Sequence, residues 1–195
     1  MIFSIFGKKD FTSLSDESLM LHIAKGNSEA FNELYKRYGV KLYNYFLRML
    51  NKNKSKAEDF TQDLFIKVMQ TSAQFNTDKK LSPWLYTMAN NMCRNEWRDQ
   101  SNRTAILKQL TMDEVVQHNF HQKIDQKLLN QKLEDELVKL QEDDQLLLTM
   151  RYQQELSIQE IAVVLLVPEG TVKSRLFYLM KKLSIRLNVF SKHYN

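Results

Sequence analysis

The sequence predicts an all-α protein: two small helical domains joined by a linker, the second containing a helix-turn-helix. Three observations predict it. The 195 residues include only four Gly and two Pro, whereas strand-rich folds need such residues in quantity for their many tight turns. Apolar side chains recur at steps of three and four along most of the chain, the mark of amphipathic helices. Between two such periodic stretches, residues 101–126 lose the pattern and become rich in Gln, Asn, Lys and His. A compact domain rarely holds so long an unpatterned segment. The expected domains are therefore 10–100 and 127–190, with 101–126 as the linker.

The elements follow in order. A short first helix has Ser15 or Asp16 as its N-cap and Leu19 and Ile23 on one face. From Ser28 to Leu50 the apolar positions are Phe31, Leu34, Tyr35, Tyr38, Leu42, Phe46 and Met49, which spells a long amphipathic helix. Lys54 to Gln74 carries Ala57, Phe60, Leu64 and Val68 at one-turn intervals, so a third helix is expected with those residues inward. A polar loop, Asn76 to Ser82, is closed by Pro83, which suits the first turn of a helix because its missing N–H has no partner there. That helix runs through Trp84, Met88 and Met92 to Trp97.

Beyond the linker, Leu128 to Leu140 and Asp144 to Tyr152 read as two more helices. Ser157-Ile158-Gln159-Glu160 is a capping box, in which the Ser and Glu side chains reciprocally satisfy free backbone N–H groups. The apolar run Ile161 to Val167 would equally suit a buried strand by periodicity, and the capping box decides for a helix. After a turn at Leu166 and Val167, Pro168-Glu169 begins a last helix. Val172, Leu176, Leu179 and Leu183 face inward there, and Lys173, Ser174, Phe177 and Tyr178 lie across the outer arc. Two short helices joined by a tight turn, the second basic, make a helix-turn-helix.

Charge is distributed unevenly. The net charge is +5. From Thr171 to Asn195 the bases Lys173, Arg175, Lys181, Lys182, Arg186 and Lys192 meet no acid. From Gln141 to Gly170 six acids stand against Arg151 alone. A basic segment of this kind suits a polyanion-binding surface or a solvated helix face. Cys93 is the only cysteine, which excludes an intrachain disulfide and a Cys-based zinc site. His118 and His121 lie in the linker without further ligands in pattern, so no metal is expected. No phosphate loop, nucleophile elbow or HExxH motif is present, so neither a catalytic residue nor a cofactor is expected. No segment approaches membrane-spanning length, and the N-terminal apolar run is too short for a signal peptide.

The stretch LSIQEIAVVLLVPEGTVKSRLFYLMKKL (Leu156 to Leu183) resembles the region 4 helix-turn-helix of sigma-70 family factors. In the first half, AFNELYKRY, AEDFTQDLF and WLYTMANN, in that order, resemble region 2 of the extracytoplasmic-function (ECF) subfamily. The chain departs from the usual pattern at Asn90, Asn95 and Leu166, where such factors often carry Arg, Asp and Gly. The resembling segments span about Ala30 to Arg98 and Leu133 to Leu187, and no added C-terminal domain is expected. The resemblance implies a sigma factor that binds core RNA polymerase and directs promoter-specific transcription initiation, with no enzymatic activity and no small-molecule substrate. It implies a bacterial cytoplasmic protein, nucleoid-associated when in holoenzyme and not inserted in membrane. The competing readings are a dimeric helix-turn-helix regulator with a helical sensor or dimerisation domain, and a protein-binding adaptor. The adaptor leaves the basic last helix unexplained, and the regulator leaves the Asp63 face and the Asn-rich helix unexplained.

Three sets of residues carry the expected chemistry. Phe65 and Met69 lie off the expected core stripe beside Glu58, Asp59, Gln62 and Asp63. Apolar residues among carboxylates on an exposed face suit a protein interface, which the resemblance assigns to the coiled coil of the polymerase beta-prime subunit. The beta subunit and an anti-sigma factor are its other expected protein partners. Phe75, Asn76, Lys79 and Lys80 in the loop, with Asn90, Asn91, Arg94 and Arg98 on the next helix, offer the aromatic, amide and cationic groups that hold single-stranded DNA. The resemblance makes this the minus-10 surface, with the loop shaping a pocket for a flipped base. Trp84 and Trp97 could stack on bases or fill the core. On the last helix, Glu169, Gly170, Thr171, Lys173, Ser174, Phe177 and Tyr178 are placed to meet the minus-35 element. Arg175 is expected to turn toward the supporting helix, and Lys181 and Lys182 to form a solvated face.

Overall fold

The computed structural model describes residues 10–108, 133, 135–137 and 139–191, and among these every regular element is helical. The chain divides into two units, Met1–Cys93 and Arg94–Asn195.

The first unit is built on α1 (Asp16–Ile23), α2 (Ser28–Met49), α3 (Lys54–Thr71), a 3-10 turn (Ser72–Gln74) and the start of α4 (Leu81–Lys108). Each of the first three helices begins on a side-chain cap. Ser15 Oγ accepts from Ser18 N, Asn27 Oδ1 from Ala30 N and Asn53 Oδ1 from Lys56 N. These caps satisfy N–H groups that no helical carbonyl can reach. Between α1 and α2, Gly26 takes φ +78°, a left-handed conformation that glycine adopts without strain. The N-terminal segment is held to α2 by Arg37. Its guanidinium donates to the carbonyls of Phe11, Thr12 and Leu14 and to the carboxylates of Asp16 and Glu33. Tyr38 donates to the same Asp16, and burial, with Asp16 beside it, raises the Tyr38 pKa so that it remains a donor.

Leu34, Leu42, Phe46, Leu64, Leu85 and Tyr86 form the centre of this unit. One expected stripe is corrected. On α3 the buried set is Ala57, Thr61, Leu64, Phe65 and Val68, with Phe60 only half-buried against Phe46. Phe65 is thus a core residue, 2% exposed, and not part of an accessible face. It is claimed by α2, whose Tyr35 and Phe31 rings stand 4.7 and 5.9 Å from its own. On α4 the buried set is Leu81, Pro83, Leu85, Tyr86, Ala89, Asn90 and Cys93, while Trp84, Met88, Met92 and Trp97 lie half-buried on the flank. Helix α4 continues to Lys108, through the first eight positions of the segment read as a linker; residues 109–126 lie outside the described residues.

The second unit contains α5 (Glu142–Leu148), a π turn (Thr149–Gln153), α6 (Ile158–Leu165) and α7 (Glu169–Ser191). Of the helix expected over Leu128 to Leu140, residues 133 and 135–137 are helical; 128–132, 134 and 138 lie outside the described residues. Glu142, Asp143 and Asp144 fill the first turn of α5, where carboxylates complement the helix dipole. Within the π turn stands Arg151, whose guanidinium donates to the carbonyl of Leu156 at 3.0 Å. The capping box at α6 is complete: Glu160 N donates to Ser157 Oγ at 3.1 Å and Ser157 N to Glu160 Oε2 at 2.8 Å. Leu166 ends α6 at φ 56°, in the left-handed region. Helix α7 packs Val172, Leu176, Leu179 and Leu183 inward against α6 and α5.

Candidate nucleic-acid interface

The α6–turn–α7 pair gives the second unit its most exposed chemistry. Lys173, Ser174, Phe177 and Tyr178 all face solvent, and the last two rings meet edge to face at 5.4 Å. Two large aromatics more than 60% exposed on a basic helix form an accessible platform rather than part of a core. Glu169, Gly170 and Thr171 form the first turn; Thr171 is half-buried. A side chain at Gly170 would meet nothing within 4 Å, so packing does not require glycine there and the backbone stays open to close approach.

The basic content of α7 is sorted by its partners. Arg175 reaches Asp144 of α5 at 3.4 Å, and Arg186 reaches Glu136 at 3.1 Å. Glu136 also accepts from Lys139 at 2.9 Å, and the bonds from Lys139 and then Arg186 hold its carboxyl below the usual range. Asp144, from the acidic stretch, and Glu136, which precedes it, therefore supply structural counter-ions to the arginines of α7. Lys173, 4.0 Å from Glu169 and exposed, remains on the outer arc with Lys181 and Lys182. Exposed pairs of this kind contribute little to stability.

In the first unit, the loop before α4 is a structured turn: Asn76 Oδ1 accepts from Asp78 N at 2.9 Å, and Lys79 N donates to Asn76 O at 3.1 Å. It presents Asn76, Lys79 and Lys80 to solvent beside an open pocket of about 580 Å³ shared with the start of α1. Phe75 is buried against Trp84, ring centres 5.1 Å apart, so it supports the loop and offers no free face. Asn90 is corrected as well. It is 2% exposed, and its Oδ1 lies buried without a hydrogen-bond partner, so it does not reach the surface. Asn91 is exposed one position further along. Arg94 and Arg98, on the stretch of α4 assigned to the second unit, are exposed; Arg94 pairs with Asp143 of that unit at 3.1 Å and Arg98 lies 3.9 Å from Asp99.

On α3, Glu58, Asp59, Gln62, Asp63 and Met69 are exposed as expected. Sequence reasoning missed two neighbours, Ile66 and Tyr35, each 46% exposed. Ile66 stands one turn after Gln62, a spacing that could have found it. Tyr35 could not be placed without knowing that α2 packs on α3; its ring lies 3.3 Å from where a Cβ on Gly39 would sit. Among the described residues no group of three His, Cys, Asp or Glu could hold a metal ion.

These two units, a helical body with an amide- and lysine-bearing loop and a helix-turn-helix with a basic aromatic arc, define an all-helical, two-unit helix-turn-helix protein. Residues 34–103 match the family model for sigma-70 region 2, and residues 130–183 that for sigma-70 region 4. The chain is 30% identical over 172 residues to the ECF RNA polymerase sigma factor SigW of Bacillus subtilis, covering 79% of this chain and 87% of that one. It is 28% identical over 176 residues to the ECF RNA polymerase sigma-E factor of Escherichia coli, covering 84% and 90%. In fold it is similar to CnrH, solved with the cytosolic domain of CnrY (TM-score 0.67, 22% identity, 89% and 97% covered). It is also similar in fold to the sigma factor RpoE of Bartonella quintana, solved with the anti-sigma factor NepR (TM-score 0.61, 20% identity, 80% and 98% covered). The chain belongs to the sigma-70 family, in its ECF subfamily. It is thus a sigma factor for promoter-directed transcription initiation by RNA polymerase, and the dimeric-regulator reading is not favoured.

Proposed function

We propose a division of labour between the two units, 10–100 and 127–190, with 101–126 between them. The first docks on the coiled coil of the polymerase beta-prime subunit through Glu58, Asp59, Gln62, Asp63 and Met69, joined by Ile66 and Tyr35. A carboxylate-rimmed apolar strip suits a partner carrying both cations and apolar side chains. The same unit holds the minus-10 strand with Asn76, Lys79, Lys80 and Asn91, and Arg94 and Arg98 follow on α4. The second unit reads the minus-35 element from the major groove. Lys173, Ser174, Phe177 and Tyr178 meet base edges, and the turn Glu169-Gly170-Thr171 sits against a phosphate. The beta subunit and an anti-sigma factor complete the set of protein partners. The protein acts in the cytoplasm and on the nucleoid; no described helix is long and apolar enough to cross a membrane.

One observation carries this reading. Helix α7 turns both of its described arginines inward onto Asp144 and Glu136, yet leaves Lys173, Ser174, Phe177 and Tyr178 in solvent. A helix merely needing solubility would not expose two adjacent aromatics about two turns from its start. Capture of purified core polymerase by the tagged chain, followed by binding of a two-element promoter fragment, tests the proposal. Retention of core and promoter together supports it; promoter binding by the chain alone, with no core retained, contradicts it.

A further inference from the structure

The base-binding loop of the first unit needs a fixed position, and a carboxylate far away in sequence touches its end. Leu81 is the first residue of α4, so its N–H is one of the donors that the helix cannot satisfy with its own carbonyls. It donates to Glu17 Oε1 of α1 at 3.0 Å, across 64 positions of sequence. A carboxylate is a strong acceptor at that place, because it meets both a free donor and the positive end of the helix dipole. Glu17 is half-buried, and it lines the pocket shared by α1 and the loop. Helix α1 is itself held fast: Ser15 caps it, and Asp16 accepts from both Arg37 and Tyr38 of α2. An unbroken series of hydrogen bonds and helices thus runs from α2 through Asp16 and Glu17 to the junction of the loop with α4.

We propose that Glu17 is a positioning residue for promoter reading, fixing the loop that carries Asn76, Lys79 and Lys80 so that it selects bases. The inference rests on the proposed minus-10 role of this loop. Glu17 lies outside the stretch matched by the region 2 family model, which begins at residue 34. It acts through the Leu81 N–H, and contact with DNA is left to the loop.

The test uses the full chain, with single-stranded DNA carrying six randomised positions as the probe. The hexamer most enriched by the wild type is compared with oligo-dT of equal length, well below the melting temperature. Glu17→Ala removes the acceptor, whereas Glu17→Gln keeps an acceptor oxygen at the same reach. For Glu17→Ala the preference for the selected hexamer over oligo-dT falls about five-fold or more, the scale of one lost hydrogen bond. For Glu17→Gln it stays within about two-fold of wild type, and oligo-dT affinity is kept by both. Amide exchange of the segment 77–81 rises in Glu17→Ala and not in Glu17→Gln. A preference unchanged in Glu17→Ala, or lost equally in both variants, overturns the role of Glu17. A wild type that selects no hexamer overturns instead the base-reading role of the loop, and with it the use proposed for Glu17.

Discussion

Arg37 of α2 and Asp16 of α1 meet at 2.7 Å, and the same guanidinium spans the carbonyls of Phe11, Thr12 and Leu14 and the carboxylate of Glu33. One side chain therefore fastens the N-terminal segment to the body of the first unit. Five acceptors in a fan can be served only by a planar five-donor fork, which a lysine ammonium lacks. Arg37→Lys is expected to destabilise the protein by about 2 kcal/mol and Arg37→Ala by about 3, since both leave part-buried carbonyls and Asp16 under-satisfied. Chemical denaturation measures both, and near-equality of Arg37→Lys with wild type would show that charge alone suffices.

Asp63 and Phe65, two positions apart on α3, are expected to separate binding from stability. Asp63 is exposed on the acidic strip, so Asp63→Lys leaves the melting temperature nearly unchanged and weakens capture of core polymerase about ten-fold. Phe65 is buried under Tyr35 and Phe31, so Phe65→Ala costs about 3–5 kcal/mol of stability. Melting curves and core capture on both variants check this. A stable Phe65→Ala that fails to bind core would restore Phe65 to the interface.

Leu166 holds a left-handed φ of 56° with its side chain 87% exposed. The conformation costs an L-residue roughly 1–2 kcal/mol, and almost no packing offsets it. Leu166→Gly is expected to stabilise the second unit by about 0.5–1 kcal/mol, the relief of strain less the greater entropy of glycine in the unfolded chain. Thermal unfolding of the full chain reads the effect; destabilisation would mean that the Leu166 side chain has a partner in solution.

The helix-turn-helix was legible because its signals are local. The capping box and the one-turn spacing of Val172, Leu176, Leu179 and Leu183 hold in the structure, and Arg175 does turn away from the outer arc, onto Asp144 of α5. The first unit was harder where the deciding partner is distant. On α3, the stripe through Phe60 and the one through Thr61 and Phe65 both have helical spacing, and only the packing of Phe31 and Tyr35 chooses between them. Asn90 is a polar residue at a core position, so polarity alone pointed it outward. Arg37 and Glu17 act largely on backbone groups, which are present at every position and leave no trace in residue identity.

Glu136 gives the second unit an acid-sensitive tie. Hydrogen bonds from Lys139 and Arg186 hold its carboxyl below the usual range. The stabilisation is complete above the ordinary carboxylate pKa and is lost as pH falls through the lowered folded value. Glu136→Gln is expected to cost about 1–2 kcal/mol near neutrality, a difference that shrinks below about pH 4. Melting temperatures of both proteins from pH 7 to 3 test it; a difference constant across that range would remove the ion pair as its cause.

Transcription by purified core polymerase, with and without this chain, tests the central claim most directly when a promoter library is the template. Addition of the chain is predicted to create start sites lying downstream of two shared sequence elements. Lys173→Ala should narrow discrimination at the upstream element by roughly 1–3 kcal/mol, as expected for a lost base contact. Lys181 lies about two turns further along and meets at most a phosphate, so Lys181→Ala should weaken all promoters alike, if at all, and reduce the salt dependence by no more than about one charge. Unchanged core activity, with the chain alone binding its own duplex sites as a dimer, would contradict the account.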